Sequence, residues 1–138
     1  MIRIQQQPID AMSLVKEIEH ENAGAVVLFL GTTRKLTGQR ETVRLEYDCY
    51  EPMALAELRK LQQQATDRWG LTGCGIVHRV GVVEIGEASV AVAISSPHRA
   101  ASYEASVWLM DVLKKEVPIW KKEQWADGST DWVHPEEG

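Results

Sequence analysis

The chain has 138 residues, 44% of them hydrophobic and 25% charged, with a formal net charge of -5. These proportions suit one globular domain with a real core, residues 1–138, and argue against a second independent domain. An acidic balance disfavours a general nucleic-acid binder, which needs a basic face to displace counterions, and no apolar run of about 18 residues offers a membrane span.

The opening MIRIQQQPID lacks the apolar segment of a signal peptide, so a cytoplasmic protein is expected. Ile2 to Ile4 suit a short strand. Asp10 then offers an N-cap for a helix that carries Met12, Leu14, Val15 and Ile18 inward. Gly24 to Leu30 is a continuous apolar run and predicts a buried central strand. It delivers Arg34 to a loop, TTRKLT, bracketed by Gly31 and Gly38. That loop lacks the Gly-Lys-Ser/Thr ending of a P-loop, and a flexible hairpin connection competes evenly with a ligand-binding role.

Thr42 to Tyr50 alternates, placing Val43, Leu45, Tyr47 and Cys49 on one face of a half-buried antiparallel strand. Pro52 opens a helix to Trp69 with Ala54, Leu58, Leu61, Ala65 and Trp69 as its buried stripe, and Gly70 stops it. Gly75 to Val80 is a further strand in which His78 reads as a hydrogen-bonded core histidine. GVVEIGE follows as a turn-rich link, and Ala88 to Ser95 is the last long strand. Cys49 and Cys74 stand apart, without C-x-x-C spacing or a companion histidine. They read as small buried residues, and no disulfide, metal site or cofactor is expected.

A helix is predicted from about Pro97 to Glu116, capped by Ser95 or Ser96 and ended by Pro118. Ala100, Tyr103, Val107, Met110 and Lys114 share one face of it. A lysine closing an apolar stripe commonly lays its methylenes along the core edge, whereas Lys115 points elsewhere. His98 and Arg99 join the unpaired N–H groups at the helix start, where acidic residues would be the structural choice, and make an anion site. Beyond Pro118 the chain is extended, so Lys121 and Lys122 face opposite ways. The basic residues thus fall in three stretches, and a locally basic pocket in an acidic protein favours a compact anionic ligand. In the tail, residues 124–138, Trp125 and Trp132 can stack on a heterocycle or anchor the segment. The final HPEEG is expected to be mobile. One-sided strand polarity and irregular strand–helix alternation predict an α+β domain.

GAVVLFLGTTR, LEYDCYEPMA, IVHRVGVVEIGE, then PHR, MDVLKK and VPIWKKE, in that order, resemble the large, catalytic subunit of molybdopterin synthase. The resemblance covers most of Gly24 to Trp132. It implies an α/β-hammerhead fold with a mainly antiparallel sheet and packed helices. It further implies a sulfurtransferase that converts cyclic pyranopterin monophosphate to molybdopterin in molybdenum cofactor biosynthesis. Two sulfurs would arrive from the C-terminal thiocarboxylate of a small ubiquitin-like partner. Lys114 and Lys121 become candidate catalytic groups, and Arg34, His98 and Arg99 candidate substrate-binding groups. Arg34 and Arg99 suit phosphate, the lysines suit a thiocarboxylate, and a histidine such as His98 can bind or move a proton. About 22 Å of helix separates Arg99 from Lys114 at 1.5 Å per residue, so either they serve different sites or, the favoured reading, a homodimer forms composite sites. The resemblance implies that this homodimer is the core of a heterotetramer. The competing class is a non-catalytic dimeric module that binds a phosphorylated metabolite.

Overall fold

A computed structural model describes residues 1–133 of the chain. In chain order its elements are β1 (Ile2–Gln5), α1 (Ala11–Glu17), β2 (Ala25–Thr32), β3 (Leu36–Thr37), β4 (Arg40–Cys49), α2 (Glu51–Trp69), β5 (Gly73–Arg79), β6 (Gly81–Glu84), β7 (Ala88–Ser96), α3 (Arg99–Glu116), β8 (Ile119–Trp125) and β9 (Thr130–Val133). One sheet has the order β1-β5-β7-β2, with only β1 and β5 parallel. The other runs β3-β4-β8-β9, with β6 also paired to β4, and is antiparallel throughout. The expected α+β class is borne out.

β5 and β7 are buried along nearly their whole length because the first sheet is covered on both faces. Leu14 and Ile18 of α1 and its exit cover Val77, Ala91 and Ala93 on one side. On the other, Leu58 and Leu61 of α2 and Leu109 and Leu113 of α3 pack on Ile76, Val92 and Ile94. Asp10 caps α1 as expected, its Oδ1 accepting from the Ser13 N–H at 3.1 Å, and Gly70 ends α2 at φ +59.

Several local expectations are corrected. β2 is an edge strand, not a central one, and Val26, Phe29 and Leu30 are exposed. Met12 is exposed as well. An irregularity between Thr42 and Arg44 turns Val43 outward and buries Thr42, after which Leu45 and Tyr47 resume the inward face. The link GVVEIGE contains β6, whose Val83 is fully buried. Cys74 is buried but Cys49 only partly.

α3 begins at Arg99, and its buried face is Ser102, Ala105, Ser106, Leu109 and Leu113. Tyr103 and Val107, expected on that face with Ala100, are 60% and 63% exposed. Small residues let the helix approach the sheet closely, and their hydroxyls find partners: Ser102 meets the Ser96 hydroxyl at 2.5 Å, and Ser106 donates to the Tyr103 carbonyl at 2.8 Å. Neither Ser95 nor Ser96 caps α3. The Ser95 hydroxyl donates to the Ile18 carbonyl and that of Ser96 to the His98 carbonyl, leaving His98 at the N-cap without a side-chain cap bond.

Residues 124–133 complete β8 and form β9 rather than a loose tail. The Arg40 guanidinium lies 3.8 Å over the Trp125 ring and 3.4 Å from Asp131, which also accepts from the Trp125 indole N–H. Trp125 is thereby an anchor, while Trp132 is exposed. The expected mobility of HPEEG and any role of His134 fall outside the described residues.

Candidate functional site

Pro118 forces Val117 into extended geometry (φ -82, ψ 129), so the chain leaves α3 and turns at once onto β8. That turn brings the last turn of the helix against the start of the strand. Between them and the two sheets lies a cavity of about 230 Å³. Strand alternation sets what enters it: Ile119, Lys121 and Glu123 of β8 face the cavity, while Trp120 and Lys122 face away, Lys122 lying 5.9 Å from the Trp132 ring. Lys114 and Met110 come from α3, Leu45 and Tyr47 from β4, His78 from β5, and Ser89 and Val90 from β7.

Arg34 completes the cationic part of the wall from the loop after β2. Its backbone is pinned on both sides. The Thr33 N–H donates to the Glu87 carbonyl at 3.0 Å, and the Lys35 carbonyl accepts from the Thr42 N–H at 2.7 Å. Arg34, Lys114 and Lys121, 87 positions apart in sequence at the extremes, therefore meet at one cavity. His98 and Arg99 do not line it. They sit exposed at the opposite end of α3, about 22 Å away by helix rise. Lys115 and Lys122 are also outside it.

Crowding of cations has an electrostatic cost that falls on the most enclosed of them. Burial holds Lys121 below the ordinary lysine range; Glu123 opposes the shift, and Lys114 and Arg34 add to it. Glu123 is only 4% exposed and accepts from the hydroxyls of Thr42 at 2.9 Å and Thr37 at 3.2 Å, so the carboxylate is fixed beneath the lysine. Arg34 and Lys114 provide positive charge at the same wall.

The remainder of the cavity is neutral. Burial pushes the Tyr47 phenol above its usual value despite a hydrogen bond with Ser89, and the ring meets His78 edge-on at 5.1 Å. His78 is buried and its Nδ1 lies 2.7 Å from the Arg79 carbonyl oxygen, as a hydrogen-bonded core histidine should. Burial lowers its pKa from 6.5 to about 4, with the bond to Arg79 opposing. The unfolded chain therefore takes up a proton at a pH where the folded chain does not. Stability from this group is intact above about pH 6.5 and is lost as pH falls through that window, reaching a penalty of about 3 kcal/mol near pH 4. Denaturant titrations between pH 7 and pH 4 should show this loss in the wild type and a shallower one in His78→Phe.

Glu123, Tyr47, Thr37 and Ser89 were not anticipated as wall residues. Glu123 had a readable signal, since it shares the parity of Lys121 on an extended segment. The others depend on how the sheets meet. Among the described residues, no group of three or more His, Cys, Asp or Glu is placed to hold a metal ion, and no helix is long and apolar enough to cross a membrane.

The family described as MoaE protein matches residues 4–116. A molybdopterin synthase catalytic subunit of Bacillus subtilis is 45% identical over 130 residues, covering 94% of this chain and 82% of the relative. One from Culex quinquefasciatus is 46% identical over 94% of this chain and 84% of its own length. The crystal structure of molybdopterin synthase from Staphylococcus aureus superimposes with a TM-score of 0.89 at 37% identity, covering 94% of both chains. A complex of subunits 1 and 2 of molybdopterin-converting factor from Helicobacter pylori matches with a TM-score of 0.77 at 25% identity, over 96% of this chain and 88% of that one.

Proposed function

The chain belongs to the MoaE family of molybdopterin synthase catalytic subunits, and on that premise we propose that the cavity walled by Arg34, Lys114 and Lys121 is where sulfur is transferred. The activity is that of molybdenum cofactor biosynthesis, carried out with a small partner subunit. One observation carries the placement: three cations from separate elements converge on a single cavity in a protein of net charge -5.

Both reactants are anionic. A pterin monophosphate and the thiocarboxylate tail of the partner repel each other, and a site that joins them must neutralise both. The Arg34 guanidinium offers paired N–H donors to phosphate. The Lys114 ammonium, a point donor at the cavity wall, orients the tail and stabilises charge on its carbonyl oxygen as sulfur leaves. Lys121 is the second such group, fixed over Glu123. In each round the tail sulfur bonds to a side-chain carbon of the pterin as that carbon's bond to oxygen breaks, the oxygen leaving as water or with the phosphate. A second water then cleaves the tail's carbon–sulfur bond and returns the tail as a carboxylate. The spent tail keeps its charge and loses its nucleophile, so a fresh partner must enter for the second sulfur.

His98 and Arg99 enter this scheme from a second copy of the chain, which would complete each site across a twofold interface. The proposal takes the chain as one domain, because both sheets wall the cavity and neither can be removed without opening it. It also places the protein in the cytoplasm, among the biosynthetic enzymes that its relatives are.

Lys121 reacts to pH in a defined direction. Its lowered pKa means that its charge is lost at a lower pH than an exposed lysine's. The pH profile of kcat/KM should therefore carry an alkaline limb below the usual lysine range, and Lys121→Arg should move that limb upward because a guanidinium stays protonated. The scheme as a whole is tested by incubating the protein with thiocarboxylated partner and cyclic pyranopterin monophosphate and following the pterin by mass spectrometry. Gain of two sulfurs is the expected result. Pterin binding with no sulfur gain, under conditions where a relative works, would replace the enzyme with a metabolite-binding module.

A further inference from the structure

His78 lines the cavity while only 5% exposed, and its imidazole has one committed nitrogen and one uncommitted one. Nδ1 lies 2.7 Å from the Arg79 carbonyl oxygen, so Nδ1 carries the proton and donates it, and Nε2 is left with a lone pair. Among the described residues nothing donates to Nε2. The nearest polar side chain, Tyr47, meets the ring edge-on and directs its phenol to Ser89. Nε2 is not one of the fully buried side-chain atoms left without a partner, so it opens onto the cavity, where an entering molecule can supply the donor.

We infer that His78 is a binding residue of this cavity, its Nε2 accepting one amide-type N–H from a reactant that enters past Lys114 and Lys121. The inference rests on the cavity being the reaction site and adds to it a polarity. Cations at one wall hold the anionic group, and a neutral acceptor on the strand wall takes the uncharged N–H end, so a reactant is oriented as well as held. An imidazole that stays neutral across the physiological range accepts in this way without competing for the phosphate or thiocarboxylate. Two sources carry such an N–H: the ring lactam of the pterin, and the peptide groups of the partner's extended tail.

The test uses the whole protein labelled with 15N-histidine, with the His78 resonances assigned by loss in His78→Gln. It is titrated in one arm with the partner in its carboxylate form and in the other with cyclic pyranopterin monophosphate. In one arm the His78 Nε2 resonance should move in the direction of an acceptor taking a hydrogen bond while Nδ1 stays fixed. That arm identifies the source. Calorimetry on variants should then show affinity for the same reactant about tenfold weaker in His78→Phe and within about threefold of wild type in His78→Gln, whose amide oxygen can replace Nε2. Binding of both reactants to wild type with Nε2 unmoved would overturn the inference and leave the sulfur-transfer site intact. Failure of either reactant to bind wild type would overturn both. Should His78→Phe not fold, the resonance shifts of the wild type decide alone.

Discussion

Lys114→Ala should lose sulfur transfer by at least about 100-fold in kcat while its melting temperature stays close to that of the wild type. The size follows from removing a charged donor aimed at an oxygen on which charge develops, which costs about 100- to 1000-fold where such donors have been deleted. Preserved stability follows from position. Lys114 is exposed at the last turn of α3, and the residues that hold that turn are Leu109, Leu113 and Val117. Lys114→Arg should recover little, since a planar fork cannot replace an ammonium at a point contact. Single-turnover sulfur transfer with preloaded partner measures this directly, and calorimetric melting checks the fold. Activity within about threefold of wild type would remove Lys114 from the chemistry.

Mixing two inactive chains should restore activity. If each site joins Lys114 of one protomer to His98 and Arg99 of another, Arg99→Ala and Lys114→Ala are each defective as homodimers. A mixed dimer contains one site with both wild-type groups and one with neither. Random exchange makes about half of the dimers mixed, each with one working site of two, so activity should return to roughly a quarter of wild type. About 22 Å along α3 prevents one chain's Arg99 and Lys114 from gripping the same small molecule. Co-expression with two affinity tags and purification of the mixed species would raise the value to roughly half. No recovery in a verified mixed dimer would mean that each chain works with its own residues or that Arg99 acts elsewhere.

The bounds of the helices were largely legible in the sequence, because Pro118, Gly70 and Asp10 act locally and mean the same thing in any context. That one of Lys121 and Lys122 faces inward also followed from extended alternation, whereas the choice of Lys121 rested on the family resemblance. β2 was misread because Gly24 to Leu30 has the composition of a central strand, and only pairing shows that Ala25–Thr32 borders β7 alone. The face of α3 was misread because the chain offers two stripes at helical spacing. The larger side chains, Tyr103 and Val107, lost to Ser102, Ala105 and Ser106, whose small size allows close approach to the sheet. Val43 was misread and β9 went unread for related reasons. A shift in pairing at Thr42 and the mutual hold of Arg40, Trp125 and Asp131 are long-range events with no local signature. The same limit applies to the cavity. Tyr47, His78 and Ser89 come together only where one sheet meets the other.

The crystal structure of this chain with its small partner is the most direct measurement of the central claim. The tail of the partner should thread into the cavity and end with its terminal carboxylate within about 3 Å of the ammonium of Lys114 or Lys121. A tail that ends outside the cavity, with Lys114 and Lys121 both beyond hydrogen-bonding reach, would contradict it.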